Sequence, residues 1–259
     1  MTTEQPTAPF DNAPAATVPA YMIYMVLDTS KSMWRPRPRG GPESAPLSQF
    51  IRRIPRMLRL LADHPVTNQL ASISVVAFND QPEILRPISS LEQAAMISKP
   101  SRGLGTDYAG VLKFLIAQHK KDVRSVKQSR ARDDYSVDIA RPWIFFITDG
   151  RAYAQRENQP DSEWMRERDL LTGPPIEARI VTMGLPGADE DALWLLATGD
   201  ARGKRNAFIA RNPDDSAELS KSVIDAIGSS ISTSAGSGTL TIRTPAGMVR
   251  VEGPRRARD

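Results

Sequence analysis

Two aspartates, Asp28 and Asp149, each follow directly on a strongly apolar run, YMIYMVL over residues 21–27 and WIFFIT over residues 143–148. If both runs are central strands of a parallel sheet, they carry their carboxylates to one edge, because ligands gather at the carboxyl ends of such strands. Either aspartate alone could equally cap the helix or turn that follows it. Around Asp28 the sequence DTSKS adds hydroxyls at alternate positions, Ser30 and Ser32, and a tight loop can turn alternate side chains to one point. These donors are all hard oxygens, which suit Mg²⁺, Mn²⁺ or Ca²⁺ and suit zinc or copper poorly. The plain alternative is a Ser/Thr-rich loop that holds no ligand.

The elements that would position these residues alternate along the chain. After the strand at residues 21–27, residues 47–62 place Phe50, Ile51, Ile54, Leu58 and Leu61 at helical spacing, with Pro55 expected to kink or restart that helix. Residues 71–78 (ASISVVAF) read as a strand, and Asn79, Asp80, Gln81 and Pro82 as a turn into a short run at 83–88, which predicts a hairpin and one antiparallel edge strand. A helix is expected at 107–118, a polar surface insertion at 120–141, and the second buried strand at 143–148. Beyond it come a helix at 162–171, a strand at 178–184, a helix at 189–197, a weak strand at 206–210 and a helix at 214–231. This order predicts an α/β fold, a doubly wound, mostly parallel central sheet with helices on both faces. We expect residues 1–18 to be a disordered extension, 19–232 the domain, and 233–259 a tail in which TLTIRTPAGMVRVE (239–252) forms a short β-hairpin.

Composition narrows the function classes. Cysteine is absent and there are only two histidines, His64 and His119, so thiolate chemistry is excluded and an imidazole zinc site is disfavoured. The 34 basic residues nearly balance the 30 acidic ones, a formal charge of +4, which is no field built for nucleic acid. No segment reaches the ~18 apolar residues of a membrane span, and the Pro/Ala/Thr-rich start lacks a basic then apolar leader pattern. The expectation is a cytoplasmic protein.

The motifs carry a more specific likeness. DTSKSM after its apolar strand resembles the DxSxS signature of von Willebrand factor A (VWA) domains, in which a metal-ion-dependent adhesion site binds protein ligands. GLGTDYAGVL (103–112) looks like the threonine loop of that family and FFITDG (145–150) like its second aspartate loop, all in the family's order. The DTSxSM form, the SISVVAFN strand, and the GTDY and FFITDG loops resemble most the bacterial tellurite-resistance-associated type. The likeness implies that Ser30, Ser32 and Thr106 are direct hydroxyl ligands of a divalent ion, with Asp28 and Asp149 binding directly or through water. It leaves one position for an Asp or Glu of a partner protein. It also implies a stress or tellurite-response setting with a kinase or phosphatase as partner. Asp107 could help to hold a metal-bound water. Lys31 departs from the family, many of whose members carry glycine there, and residues 34–46 (WRPRPRGGPESAP) are longer than the usual link, with Arg35, Arg37 and Arg39 expected beside the metal mouth.

The main rival is a Mg²⁺-dependent phosphoryl-transfer hydrolase, since aspartate-ended parallel strands serve those enzymes too. The haloacid dehalogenase type needs a second aspartate two residues after the first, where this chain has Ser30, and neither histidine falls in a recognised loop. Nucleic-acid binding through RPRPR or the terminal RRAR is the weaker rival, because Trp34, Trp143, Trp164 and Trp194 are scattered rather than grouped into a stacking platform.

Overall fold

The computed structural model describes residues 16–36, 41–93, 96–131, 135–200, 202–211 and 216–253. Strand β1 (Ala16–Asp28) is followed by α1 (Pro46–Ala62), α2 (Pro65–Leu70), β2 (Ala71–Phe78), β3 (Pro82–Ser90) and α3 (Tyr108–Arg130). Next come β4 (Tyr135–Ile139), β5 (Trp143–Thr148), a small hairpin of β6 (Tyr153–Ala154) and β7 (Glu157–Asn158), then α4 (Asp161–Thr172). The chain continues through β8 (Arg179–Gly184), α5 (Glu190–Leu196), β9 (Ala207–Ala210), α6 (Ser216–Ser237) and β10 (Met248–Arg250).

The main sheet has the order β10-β9-β8-β5-β1-β2-β3, with β4 also pairing β1. Its inner strands are parallel, and both outermost strands run antiparallel to their neighbours, β3 to β2 and β10 to β9. Alternation along β1 shows why such a strand must be apolar throughout. Ile23, Met25 and Leu27 enter one core with Phe50, Ile54 and Leu58 of α1 and Ile227 and Ile231 of α6. Met22, Tyr24 and Val26 enter the other with Tyr108, Leu112 and Leu115 of α3 and Trp164 of α4. Burial on both faces drives the sandwich and leaves only the strand ends for chemistry. Asp28 is level with Phe78 of β2, and Leu27 with Ile147 of β5, so the loops after three adjacent strands meet at one edge.

Several expectations change. Residues 120–141 are no loose insertion: α3 continues to Arg130, and β4 pairs in parallel with residues 16–20 of β1. The buried stripe of that half-helix is His119, Asp122 and Val126, too polar to show as an apolar period. Arg130 then closes the helix by donating to the carbonyls of Gln69, Leu70 and Ala71 and to the Ser72 hydroxyl. Pro55 lies inside α1 without ending it. Residues 16–18, expected in the N-terminal extension, belong to β1, and residues 1–15 lie outside the described residues. At the other end α6 runs to Ser237, past the expected boundary at 232. Residues 239–252 give a single strand, β10, rather than a hairpin, because its partner is β9 of the main sheet.

Candidate metal centre at the carboxyl edge of the sheet

Asp28 is fully buried at the end of β1, where its Oδ1 accepts the Ser30 N–H at 2.8 Å and its Oδ2 accepts the Thr148 hydroxyl at 2.6 Å. The tight turn this creates presents Ser30 and Ser32 together, with 3.2 Å between their hydroxyl oxygens. The Ser32 hydroxyl donates to Asp149 Oδ1 at 2.7 Å, which joins the loop after β1 to the loop after β5. Thr106 completes the group from a third direction. Its N–H donates to the Tyr153 carbonyl at 2.7 Å and its carbonyl accepts the Tyr153 N–H at 3.0 Å, so the β6–β7 hairpin fixes the threonine loop. A Cβ placed on Gly150 would lie 3.2 Å from Thr106 Oγ1 and 3.5 Å from Asp28 Oδ2, which puts both oxygens against the same glycine. Asp28, Ser30, Ser32, Thr106 and Asp149 therefore converge.

A second set of contacts holds the loops. The Thr29 N–H donates to the Phe78 carbonyl at 2.7 Å, the Trp34 indole to the Thr29 carbonyl at 3.0 Å, and the Asn79 amide to the Thr29 hydroxyl at 3.0 Å. Asp80 accepts the N–H groups of Leu104 and Gly105, each at 2.8 Å. Asp107 caps α3: its Oδ1 accepts the Gly110 N–H at 2.8 Å and the Gln159 amide at 2.9 Å. That cap suits the positive end of the helix and draws the carboxylate into backbone work.

The electrostatics at Asp28 suit a bound cation. Burial, and then the neighbouring Asp149, push the Asp28 carboxyl up to about 7 against the hydrogen bonds from Thr148 and Ser30 that pull it down. A divalent cation would reverse both causes. The three hydroxyls and two carboxylates are hard donors. Among the described residues, no group of three or more His, Cys, Asp or Glu forms a rival metal cluster.

Sequence reasoning missed Thr148, whose donor to Asp28 carries no signature beyond a hydroxyl at a strand end, and the hairpin that brings Tyr153 to Thr106. It also missed Arg151, which lines a depression of about 360 Å³ with Ser30, Lys31, Ser32, Arg35, Leu104, Thr106, Tyr153 and Asn158. Arg37 and Arg39 lie outside the described residues. His64 sits between α1 and α2 with its Nδ1 3.1 Å from the Thr67 hydroxyl, and His119 is buried within α3. Trp143 and Trp164 are buried in the cores, so they offer no stacking surface.

No protein-family model and no curated protein sequence matches the chain. Solved structures do. The von Willebrand factor domain of the type V pilus tip protein Mfa5 from Porphyromonas gingivalis aligns with a TM-score of 0.51 at 16% identity, over 89% of this chain and 99% of that one. Proximal thread matrix protein 1 of the mussel byssus gives 0.52 at 17% identity, over 82% of this chain and 48% of that one. The pilus adhesin SpaC of Lactobacillus rhamnosus GG gives 0.52 at 12% identity, over 83% of this chain and 31% of that one. This chain thus spans about half the length of the mussel protein and about a third of the adhesin. The mostly parallel sheet between helical layers is what these alignments share, and this chain has the fold of a von Willebrand factor type A domain.

Proposed function

We propose that this chain is a divalent-metal-dependent protein-interaction module. It binds Mg²⁺, with Mn²⁺ or Ca²⁺ able to substitute, through Ser30, Ser32, Thr106, Asp28 and Asp149, and takes an Asp or Glu of a partner protein onto the ion. The observation that carries this reading is the convergence of five oxygen donors from three loops at one strand edge, opening into a depression that includes Ser30, Ser32 and Thr106. Neutral hydroxyls around the ion leave it electron-poor, so an incoming carboxylate makes a strong bond there. We assign it an adaptor role rather than catalysis. Ser30 stands where a phosphoryl-transfer enzyme would need an acid/base, and Asp107 is engaged as a helix cap. The bacterial setting, the tellurite or stress response, and a kinase or phosphatase as partner rest on the likeness of the DTSKSM, GTDY and FFITDG loops, and the cytoplasmic location on the composition of the chain. Among the described residues no helix is long and apolar enough to cross a membrane.

The test is capture of partners from native-cell lysate on the immobilised chain. Proteins retained in Mg²⁺, released by EDTA and lost with Thr106→Ala support the reading. Retention indifferent to EDTA, or metal-dependent phosphatase turnover abolished in both Asp28→Asn and Asp149→Asn, would overturn it.

A further inference from the structure

Resting on that metal-dependent reading, we infer that the site selects a partner segment in which further acidic residues flank the ligating carboxylate and one bulky apolar side chain adjoins it. The depression that contains Ser30, Ser32 and Thr106 is lined by two further kinds of side chain. The first are cations: Lys31 and Arg35 are both exposed, and among the described residues neither has a carboxylate within ion-pair distance. Arg151 adds a third cation, 73% exposed and held to Asp189 only across 3.4 Å, a solvent-screened pair of little strength.

The second kind is apolar. Leu104 is 68% exposed and Tyr153 36%, both large for exposed apolar groups, and both line the same depression. Neither is on a loose loop. The Leu104 N–H is held by Asp80, and the Tyr153 backbone makes both hydrogen bonds of its bridge to Thr106. A shelf fixed in this way loses little freedom on binding, so an apolar side chain laid on it gains most of its burial. The cations act differently: they attract acidic flanks over a Debye length of roughly 8–10 Å at ordinary salt, and repel basic ones. Three cations and an apolar shelf around one carboxylate position describe an acidic segment with an apolar neighbour, such as Asp-Leu within a run of Asp or Glu.

The probe is a positional-scanning peptide library with a fixed central Asp, captured on the immobilised full chain in Mg²⁺ and again in EDTA. Asp and Glu should exceed Lys and Arg by more than tenfold at flanking positions, and Leu, Phe or Met should be enriched at one position adjacent to the centre. In Lys31→Glu/Arg35→Glu the charge preference should invert, while Leu104→Ser should lose the apolar preference alone. Each variant is first checked for a wild-type-like melt. EDTA-sensitive capture with no flank preference, or preferences that these variants do not change, would overturn the inference and leave the metal site standing. Absence of any EDTA-sensitive capture would instead count against the metal-site reading, and the inference would fall with it.

Discussion

Asp28 and Asp122 are both nearly inaccessible carboxylates, 0% and 4% exposed, and each accepts two hydrogen bonds. Asp122 Oδ2 accepts the Tyr24 hydroxyl at 2.9 Å and its Oδ1 the Gln118 amide at 2.7 Å. Burial raises its carboxyl, while these two donors and nearby Lys121 draw it back. Asp28 receives comparable donors from Thr148 and Ser30, yet it also faces Asp149, a like charge that adds to burial and carries it to about 7. A buried carboxylate whose neighbours are neutral donors and a cation is complete, and tethers a helix to a strand. One that faces a second carboxylate beneath an opening lined with hydroxyls belongs to a cluster of hard oxygen donors that a cation would suit. Burial alone therefore marks no site; the sign of the neighbours does.

The largest expected effect separates the two aspartates. In EDTA at pH 8, Asp28→Asn removes a charge whose carboxyl has moved from 3.8 to about 7, roughly three units or about 4 kcal/mol as an upper bound. It should raise the melting temperature of the metal-free protein and erase any response to Mg²⁺. Asp122→Ala should lower stability by about 1–3 kcal/mol, because it leaves the Tyr24 hydroxyl and the Gln118 amide without their acceptor, and should leave the Mg²⁺ response intact. Thermal melts of the four combinations of variant and metal decide the matter, and equal Mg²⁺ responses in both variants would erase the distinction. The pH profile follows from the same sign. Between 3.8 and about 7 the folded metal-free protein holds a proton on Asp28 that the unfolded chain has released, so stability falls as pH rises through this window and levels off above it. Asp28→Asn should remove the part of that slope that ends near neutral pH.

The next effect is that of the ion itself. Mg²⁺ at about 100 times its Kd should stabilise the wild type by about 2.7 kcal/mol, since it binds only the folded state. The gain should grow from pH 5 to pH 8 as Asp28 gives up its proton. A shift that shrinks across this range, measured by the same melts, would place the ion elsewhere than at Asp28.

The Asp28 region was far more legible in the sequence than the Asp122 region, and the reason is physical. Strands covered on both faces read as unbroken apolar runs, so an aspartate directly after one is conspicuous, and DTSKS, GTD and ITDG each lie within a few residues. The Asp122 region is assembled from Tyr24 on β1 and Gln118 and Asp122 on α3, a pairing over 98 residues that no local pattern carries. Its polar stripe hid half of α3, and with it β4. The β6–β7 hairpin escaped for another reason: its turn places Gln155 and Arg156 at φ of 53° and 70°, where Gly or Asn would have signalled the conformation. That turn sets Tyr153 against Thr106, so this part of the rim was illegible in the sequence.

The smallest expected effect tests how tightly the oxygens of the Asp28 region are placed. Gly150 adopts no backbone conformation reserved for glycine, so alanine fits its dihedrals; what the methyl meets is Thr106 Oγ1 at 3.2 Å and Asp28 Oδ2 at 3.5 Å. The first distance is slightly too close, and the threonine hydroxyl must give way by a few tenths of an ångström. A packing role alone would make Gly150→Ala a matter of stability, with metal affinity untouched. A ligand role for Thr106 makes the reverse true: stability within about 0.5 kcal/mol of wild type in EDTA, and Mg²⁺ affinity weakened up to about tenfold, or about 1.4 kcal/mol. Titration calorimetry with Mg²⁺ beside melts in EDTA separates the two. Unchanged affinity with a lowered melt would remove Thr106 from the ligand set and leave the site to the two serines and the two aspartates.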